Sequence, residues 1–270
     1  MSHTRQQERN RHLRLVVGTG WDTGITRKYQ PNEDSLFAIQ GAQTYHTLIQ
    51  PFGVFVVADG MGGYVNGQEA GHLAISAISN SVVPPLLGNA KLGDTVLSQL
   101  LADGVQRANH ALYQRNQQVS ARMGTTVTAV LVAGSTAYVT NVGDCRTYLY
   151  REPGELYQVT RDHSIATRLV EASITTPDDI DIHPERNQVY STLGEEELVQ
   201  VNILTVPLQA GDKLLLCSDG LWATVRDSNI QRMMRAPVAD PSETVKALIE
   251  AALKHRGKDN VSVIVVFVSC

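Results

Sequence analysis

Apolar residues in this chain come mostly in short runs rich in Val, Ile and Leu. Such runs, bounded by polar and turn residues, predict buried strands. They fall at 13–18, 35–39, 53–58, 126–133, 136–142, 146–150, 199–206, 213–217 and 261–268. Gly134-Ser135 separates two of them and reads as a hairpin turn. Strand following strand favours antiparallel sheets over βαβ units. Three longer segments carry apolar stripes at helical spacing. These are 68–82 (Ala70, Leu73, Ala74, Ala77), 94–117 (Leu97, Leu101, Val105, Ala108, Leu112) and 241–255 (Val245, Leu248, Ile249, Ala252). Asp240, Pro241 and Glu243 form a strong start for the last. The stripes are read as core packing. The expected fold class is α/β (α+β): a four-layer α-β-β-α sandwich with two central, mainly antiparallel sheets.

The regular pattern breaks between His163 and Gly194. An amphipathic piece at 165–172 precedes Thr176-Pro177-Asp178-Asp179 and His183-Pro184-Glu185-Arg186-Asn187. This predicts a surface insert, at about 165–190, of the kind that serves as a lid. No linker or repeat divides the 270 residues, so one domain is expected from 13 to 270, after a loose polar tail at 1–12. That tail lacks the apolar stretch of a signal peptide. No apolar run reaches the roughly 18 residues of a spanning helix.

Composition adds exclusions. Charged residues make up 19% and hydrophobic residues 43%, which rules out a disordered or fibrous chain. The formal net charge of -4 lacks the basic footprint of a nucleic-acid binder. Cys145, Cys217 and Cys270 form no zinc-type cluster and suggest a reducing compartment. The expectation is a cytoplasmic monomer that binds neither nucleic acid nor membrane.

The chemistry is expected from the carboxylates. Asp59 ends the run Val54-Phe55-Val56-Val57-Ala58, and Asp219 ends Leu214-Leu215-Leu216-Cys217-Ser218; each is followed by glycine. Asp144 falls between two strands, Asp259-Asn260 just before the last, and Glu33-Asp34 at the start of another. One Asp-Gly pair is ordinarily a turn, but a set placed alike at strand edges points further. Clustered carboxylates near a core resist ionisation. Hard divalent cations with all-oxygen ligands resolve the conflict. Two such ions about 3.5–4 Å apart activate water and clamp a phosphoryl oxygen. Spacing alone points to a divalent-metal site.

The strings themselves go further. Val57-Ala58-Asp59-Gly60-Met61-Gly62-Gly63 resembles the central motif of the type 2C, or PPM, metal-dependent protein phosphatases, bacterial type. Asn32-Glu33-Asp34, Met123-Gly124-Thr125-Thr126, Asn141-Val142-Gly143-Asp144-Cys145-Arg146, Thr160-Arg161-Asp162-His163-Ser164, Cys217-Ser218-Asp219-Gly220-Leu221 and Lys258-Asp259-Asn260-Val261 resemble its other motifs, in the family's order. The resemblance implies hydrolysis of phosphoserine and phosphothreonine by direct attack of a metal-bridging water, with Mn²⁺ or Mg²⁺ as cofactor. Two ions would occupy the core and a third a weaker site. Asp59 and Asp219 are the implied catalytic centre. Asp59 would bridge two metals, Asp219 and Asp259 would complete one site, and Asp34 with the Gly60 carbonyl the other. Asp144 and Asp219 would hold the third ion. Glu33 would hold metal-bound waters and Asn260 would fix its loop. Phosphorylated proteins are the implied partners, with a Ser/Thr kinase whose signalling is reversed.

Two departures stand out. The bacterial pattern places an arginine five residues before the aspartate of the first motif; Tyr29 stands there, and Arg27 is the candidate for the substrate phosphate. Tyr64 follows Gly62-Gly63 where bacterial members carry histidine, which leaves the general acid unassigned. His163 is given no role.

Three rivals are open at this point. Cys145 and Arg151 match the CxxxxxR spacing of cysteine-dependent phosphatases, but the interval alternates like a strand and has no glycine. A member of the family that has lost its metal would act as a binding module. Nucleotide enzymes and serine hydrolases lack their signatures here: there is no GxGxxG, GxxxxGK[ST] or GxSxG.

Overall fold

The computed structural model describes residues 13–45, 48–63, 65–88, 91–119, 122–174, 188–255 and 257–270. Its strands are β1 (Arg14–Asp22), β2 (Asp34–Tyr45), β3 (Leu48–Met61), β4 (Gly124–Ala133), β5 (Thr136–Val142), β6 (Arg146–Arg151), β7 (Glu155–Gln158), β8 (Leu204–Pro207), β9 (Lys213–Cys217) and β10 (Val261–Ser269). Its helices are α1 (Val65–Leu86), α2 (Asp94–Gln118), α3 (Ile165–Glu171), α4 (Asp219–Trp222), α5 (Asp227–Arg235) and α6 (Pro241–Lys254). Two five-stranded sheets form, in the orders β1-β10-β9-β6-β7 and β2-β3-β4-β5-β8, and the paired strands within them run antiparallel.

The period-2 alternation of strands sorts their side chains into layers. In β3, Val54, Val56 and Ala58 face α1 and α2, where they meet Ile78, Leu101 and Leu112. Phe55 and Val57 face the other way and pack between the sheets against Leu214, Leu216, Ile264 and Val266. The second sheet alternates likewise: Leu215, Cys217, Val263 and Val265 face α4, α5 and α6, meeting Leu221, Ile230 and Leu248. Strands covered on both faces read as unbroken apolar runs, which is why β3, β9 and β10 are so plain in the sequence. The four-layer sandwich is as expected.

Boundaries differ where local pattern and tertiary context disagree. The strand expected at 199–206 shrinks to β8, which pairs with β5 from Thr136 to Val139. Residues before it turn away because α2 captures their backbone: Gln106 Nε2 donates to the Val199 carbonyl, and Asn109 Nδ2 donates to those of Glu196 and Glu197, both at 3.0 Å. Short β7, only partly covered, has no apolar alternation to signal it. Helices α4 and α5 were not anticipated, being too short for a stripe. Helix α1 runs past the expected end to include Pro84 and Pro85 in its last turn. The Gly134-Ser135 hairpin is present, with Gly134 at φ +60°. Asp240 caps α6 through a 2.8 Å bond from the Ser242 amide.

The insert is anchored at its base. Ser164 and Val189 form an antiparallel bridge, Ile165 N donates to the Gln188 carbonyl at 2.9 Å, and Tyr190 N donates to that of His163 at 2.8 Å. The segments expected at 176–179 and 183–187, like the tail at 1–12, lie outside the described residues.

Leu101 sits fully buried at the α2–sheet contact. Leu101→Ala is expected to destabilise the fold by about 2–5 kcal/mol, read from the denaturant midpoint at fixed pH.

Candidate metal centre

The carboxylates gather at one end of the sandwich, where the two sheets approach each other. Asp34 opens β2 and stands in register with Asp59 near the end of β3. Asp144 lies in the β5–β6 turn. Asp219 opens α4 instead of closing a strand, and Asp259 precedes β10. Five separate segments therefore deliver aspartates to one place. Asp219 feels the charge of Asp259 and interacts with Asp59. Asp59 feels the charge of Asp34, Asp219, Asp144 and Asp259.

Burial first, and then this mutual repulsion, oppose ionisation. Burial pushes the Asp34 carboxyl up to about 7, with the charges of Asp219 and Asp259 adding to it and the Ser218 hydroxyl opposing. Burial and the Asp219 charge raise Asp144 to about 8. Asp219 rises to about 6 through burial and Asp259. Asp59 is raised well above the usual carboxylate range, again by burial first. Asp34, Asp59 and Asp219 each keep some surface open to solvent. Even so, one oxygen of Asp34, one of Asp219 and one of Glu33 are enclosed without any hydrogen-bond partner. Buried acceptors left unsatisfied are costly.

Polar ties hold the segments together. Ser218 Oγ donates to Asp34 Oδ2 at 2.7 Å and accepts from the Ser262 amide at 3.0 Å, so one hydroxyl links both sheets. Asn260 Oδ1 accepts from the Glu33 amide at 2.8 Å, and its Nδ2 donates to the Thr23 carbonyl at 3.0 Å. Thr125 Oγ1 donates to the Asp59 carbonyl at 2.8 Å. At Gly60 and Gly220 the missing side chain lets backbone approach backbone: a Cβ would lie 2.0 Å from the Gly67 carbonyl oxygen in the first case and 2.0 Å from that of Asn260 in the second.

Asp144 has its own clamp. Trp222 Nε1 donates to its carbonyl at 2.9 Å, and the Arg146 guanidinium lies 3.7 Å from the centre of the Trp222 ring. Arg146 also grips Asp162 through two nitrogens, at 3.0 and 2.6 Å. His163 accepts from the Gly143 amide at 3.3 Å, donates its own amide to the Gly143 carbonyl at 2.8 Å, and stacks on Tyr190. These contacts tie the base of the insert to the Asp144 turn. Sequence reading gave no role to Ser218, Trp222, Arg146 or His163. All but Trp222 stood inside the quoted strings, yet nothing in spacing tells which neighbour of an aspartate bonds to it.

Arg27 Nη1 lies 2.8 Å from Glu33 Oε2 and 3.1 Å from Asp259 Oδ1, so it stands at the edge of the acidic cluster. Tyr64 lies outside the described residues. The cysteine rival loses its footing. Cys145 is fully buried, and burial pushes its thiol well above the usual range. Arg151 is bound instead to Asp212, at 2.7 and 2.8 Å.

All-oxygen donors, enclosed orphan oxygens and carboxyls that resist ionisation fit a hard divalent cation. Among the described residues no three His, Cys, Asp or Glu side chains are drawn into a finished cage, although the aspartates share one field. An αββα sandwich with an acidic, cation-fitting centre between its sheet ends defines the class. The chain belongs to the protein phosphatase 2C family, whose model matches residues 23–255. It is 34% identical over 247 residues to the serine/threonine protein phosphatase PstP of Mycobacterium tuberculosis, covering 90% of this chain and 43% of that protein. The chain thus spans less than half the length of that relative. The serine/threonine phosphatase stp of Listeria monocytogenes is 33% identical over 215 residues, 79% of this chain and 83% of that one. The solved catalytic domain of PstP, in complex with two manganese ions, superposes with a TM-score of 0.79 at 32% identity, over 96% of this chain and all of that one.

A carboxyl whose folded pKa is raised stabilises the fold fully below its unfolded pKa, and that contribution is lost as pH rises through the folded value. For Asp219, Asp34 and Asp144 the loss runs up through about 6, 7 and 8. The denaturant midpoint of the metal-free protein is therefore expected to fall from pH 5 to pH 8. Added Mn²⁺ is expected to raise it, and more at pH 8 than at pH 5. A flat profile would contradict the clustering.

Proposed function

We propose that the protein is a metal-dependent phosphatase of phosphoserine and phosphothreonine in proteins. The observation that carries this reading is the set of five aspartates sharing one field, with unpartnered enclosed oxygens on Asp34 and Asp219. Asp59 would contribute its carboxylate to both Mn²⁺ or Mg²⁺ sites. Asp219 and Asp259 would complete one site with it; Asp34 and the Gly60 carbonyl would complete the other. Asp144, beside Asp219, would hold a third ion. When bound, the cations supply the Lewis acidity that activates water and draws charge from the phosphoryl group.

The chain's own groups prepare that chemistry. Ser218 holds Asp34 in one orientation through its 2.7 Å bond. Glu33, with one oxygen on Arg27 and one unpartnered, is placed to accept from ordered water. Asn260 fixes the Asp259 loop to the Glu33 backbone. Arg27 contacts both acids through Nη1 and so stands at the edge of the acidic cluster, where we assign its guanidinium to the substrate phosphate. We assign the insert at 165–190, whose described base is tied to the Asp144 turn, to the handling of substrate. Asp59 feels the charge of each of the other four aspartates matched to the family, which favours an enzyme over a binding module.

Relatives named as serine/threonine phosphatases support a substrate class of phosphorylated proteins. We place the protein opposite a Ser/Thr kinase, as a monomer in the cytoplasm. Among the described residues no helix is long and apolar enough to cross a membrane.

Chelation is expected to abolish hydrolysis of an aryl phosphate and of phosphopeptides, and Mn²⁺ or Mg²⁺ to restore it. Asp59→Asn and Asp219→Asn are each expected to lower kcat by orders of magnitude at saturating metal. Full activity in metal-free buffer would refute the reading. Arg27→Ala is expected mainly to raise KM, because its contact with phosphate precedes reaction. An unchanged KM would return Arg27 to a purely structural tie between Glu33 and Asp259.

A further inference from the structure

A cavity of about 740 Å³ begins at the end of β3, two residues along the chain from Asp59. Met61 and Gly62, the two residues that follow Asp59-Gly60, form its inner end. Asn116 from the last turns of α2 lines one wall, and the segment from Thr192 to Glu196 lines another. Its walls are rigid. Thr125 and Leu193 exchange two backbone bonds, at 3.3 and 2.9 Å, which lock the 192–196 segment to the start of β4. Asn116 Nδ2 donates to the carbonyls of Met123 and Gly194, at 2.7 and 2.9 Å.

Charge on that wall is uneven. Glu195 and Glu196 are both exposed, and Glu197 follows them. Among the described residues none of the three forms an ion pair; the Glu195 carboxylate is bonded only to the Thr192 hydroxyl, at 3.1 Å. Arg122 is the sole cation among the cavity's described lining residues. Among the described lining residues, net negative charge is left facing this trough, whose Met61 and Gly62 follow Asp59-Gly60 along the chain. A phosphoryl group anchored at the aspartates would lead the flanking peptide through this trough, and carboxylates without cationic partners favour a cationic side chain there.

We propose that this cavity is a substrate-specificity subsite that receives a Lys or Arg flanking the phosphorylated residue, with Glu195 and Glu196 as its recognition groups. The inference rests on the reading of the protein as a phosphoprotein phosphatase and deepens it. The partner class is phosphoproteins whose phosphosites lie in basic sequence. Exposed charge pairs are individually weak, so two of them would bias kcat/KM by about three- to tenfold, chiefly through KM, with the bias fading at high salt.

The test uses the full chain loaded with Mn²⁺. Three substrates are compared: an aryl phosphate, a phosphothreonine peptide with arginines scanned over the flanking positions, and the same peptide with neutral glutamines. The wild type is expected to favour at least one arginine-bearing peptide. In the double variant E195Q/E196Q, which keeps the hydrogen-bond acceptor for Thr192, the ratio of the two peptide kcat/KM values is expected to collapse towards one. In E195K/E196K the preference is expected to turn to glutamate-bearing peptides. Hydrolysis of the aryl phosphate with no peptide preference in the wild type would overturn the subsite and leave the phosphatase reading standing. A preference that survives in both variants would overturn it as well. Failure to hydrolyse any of the three at saturating metal would sink the phosphatase reading itself.

Discussion

Repulsion among carboxylates packed where two sheets converge is the constraint around which this molecule is built. Left to themselves, Asp34, Asp59, Asp144, Asp219 and Asp259 would drive apart the five segments that carry them, and burial sharpens the conflict because few waters screen it. The sandwich supplies the opposing force. Long apolar strands buried on both faces fix the ends of β3, β9 and β10, so the acids cannot retreat without pulling the core with them. The molecule thus holds a local electrostatic cost in place with nonlocal packing, a cost that a divalent cation would relieve.

Precision at that junction comes from polar ties that span the chain. Ser218 joins Asp34 to Ser262, Asn260 joins Glu33 to Thr23, and Trp222 joins the Asp144 turn to α4. Each tie connects elements from different sheets or layers. Gly60 and Gly220 act similarly, since bare backbone there lets neighbouring chains touch. The acids are consequently positioned by a network in which no single strand is sufficient.

How legible this was from residues alone depended on the kind of information. Strands covered on both faces, such as β3 and β9, announce themselves as apolar runs, and α2 and α6 show their stripes. Short α4, α5 and β7 do not, because their stability comes from neighbours and not from their own pattern. The segment at 199–203 looked like a strand, yet carbonyls near it are held by Gln106 and Asn109 of α2. The aspartates could be singled out by their placement and by family likeness. Their convergence could not, since register between β2 and β3 is a tertiary fact. Ser218 and Trp222 went unassigned for the same reason: a hydroxyl or an indole beside a motif carries no label until its partner is in view.

Strand β1 is an edge strand whose ladder is made with β10 alone, pairing residues 14–22 with 261–269. β1 must therefore wait for its distant mate during synthesis on the ribosome. Until β10 emerges, β1 presents an unpaired ladder, and Asp259 has no place beside Asp59. A nascent chain can lay down α1, α2 and the β2-β3-β4-β5 meander early, because these contacts are closer in sequence. The five aspartates, however, can come together only after β10 has been made, because Asp259 lies just before it.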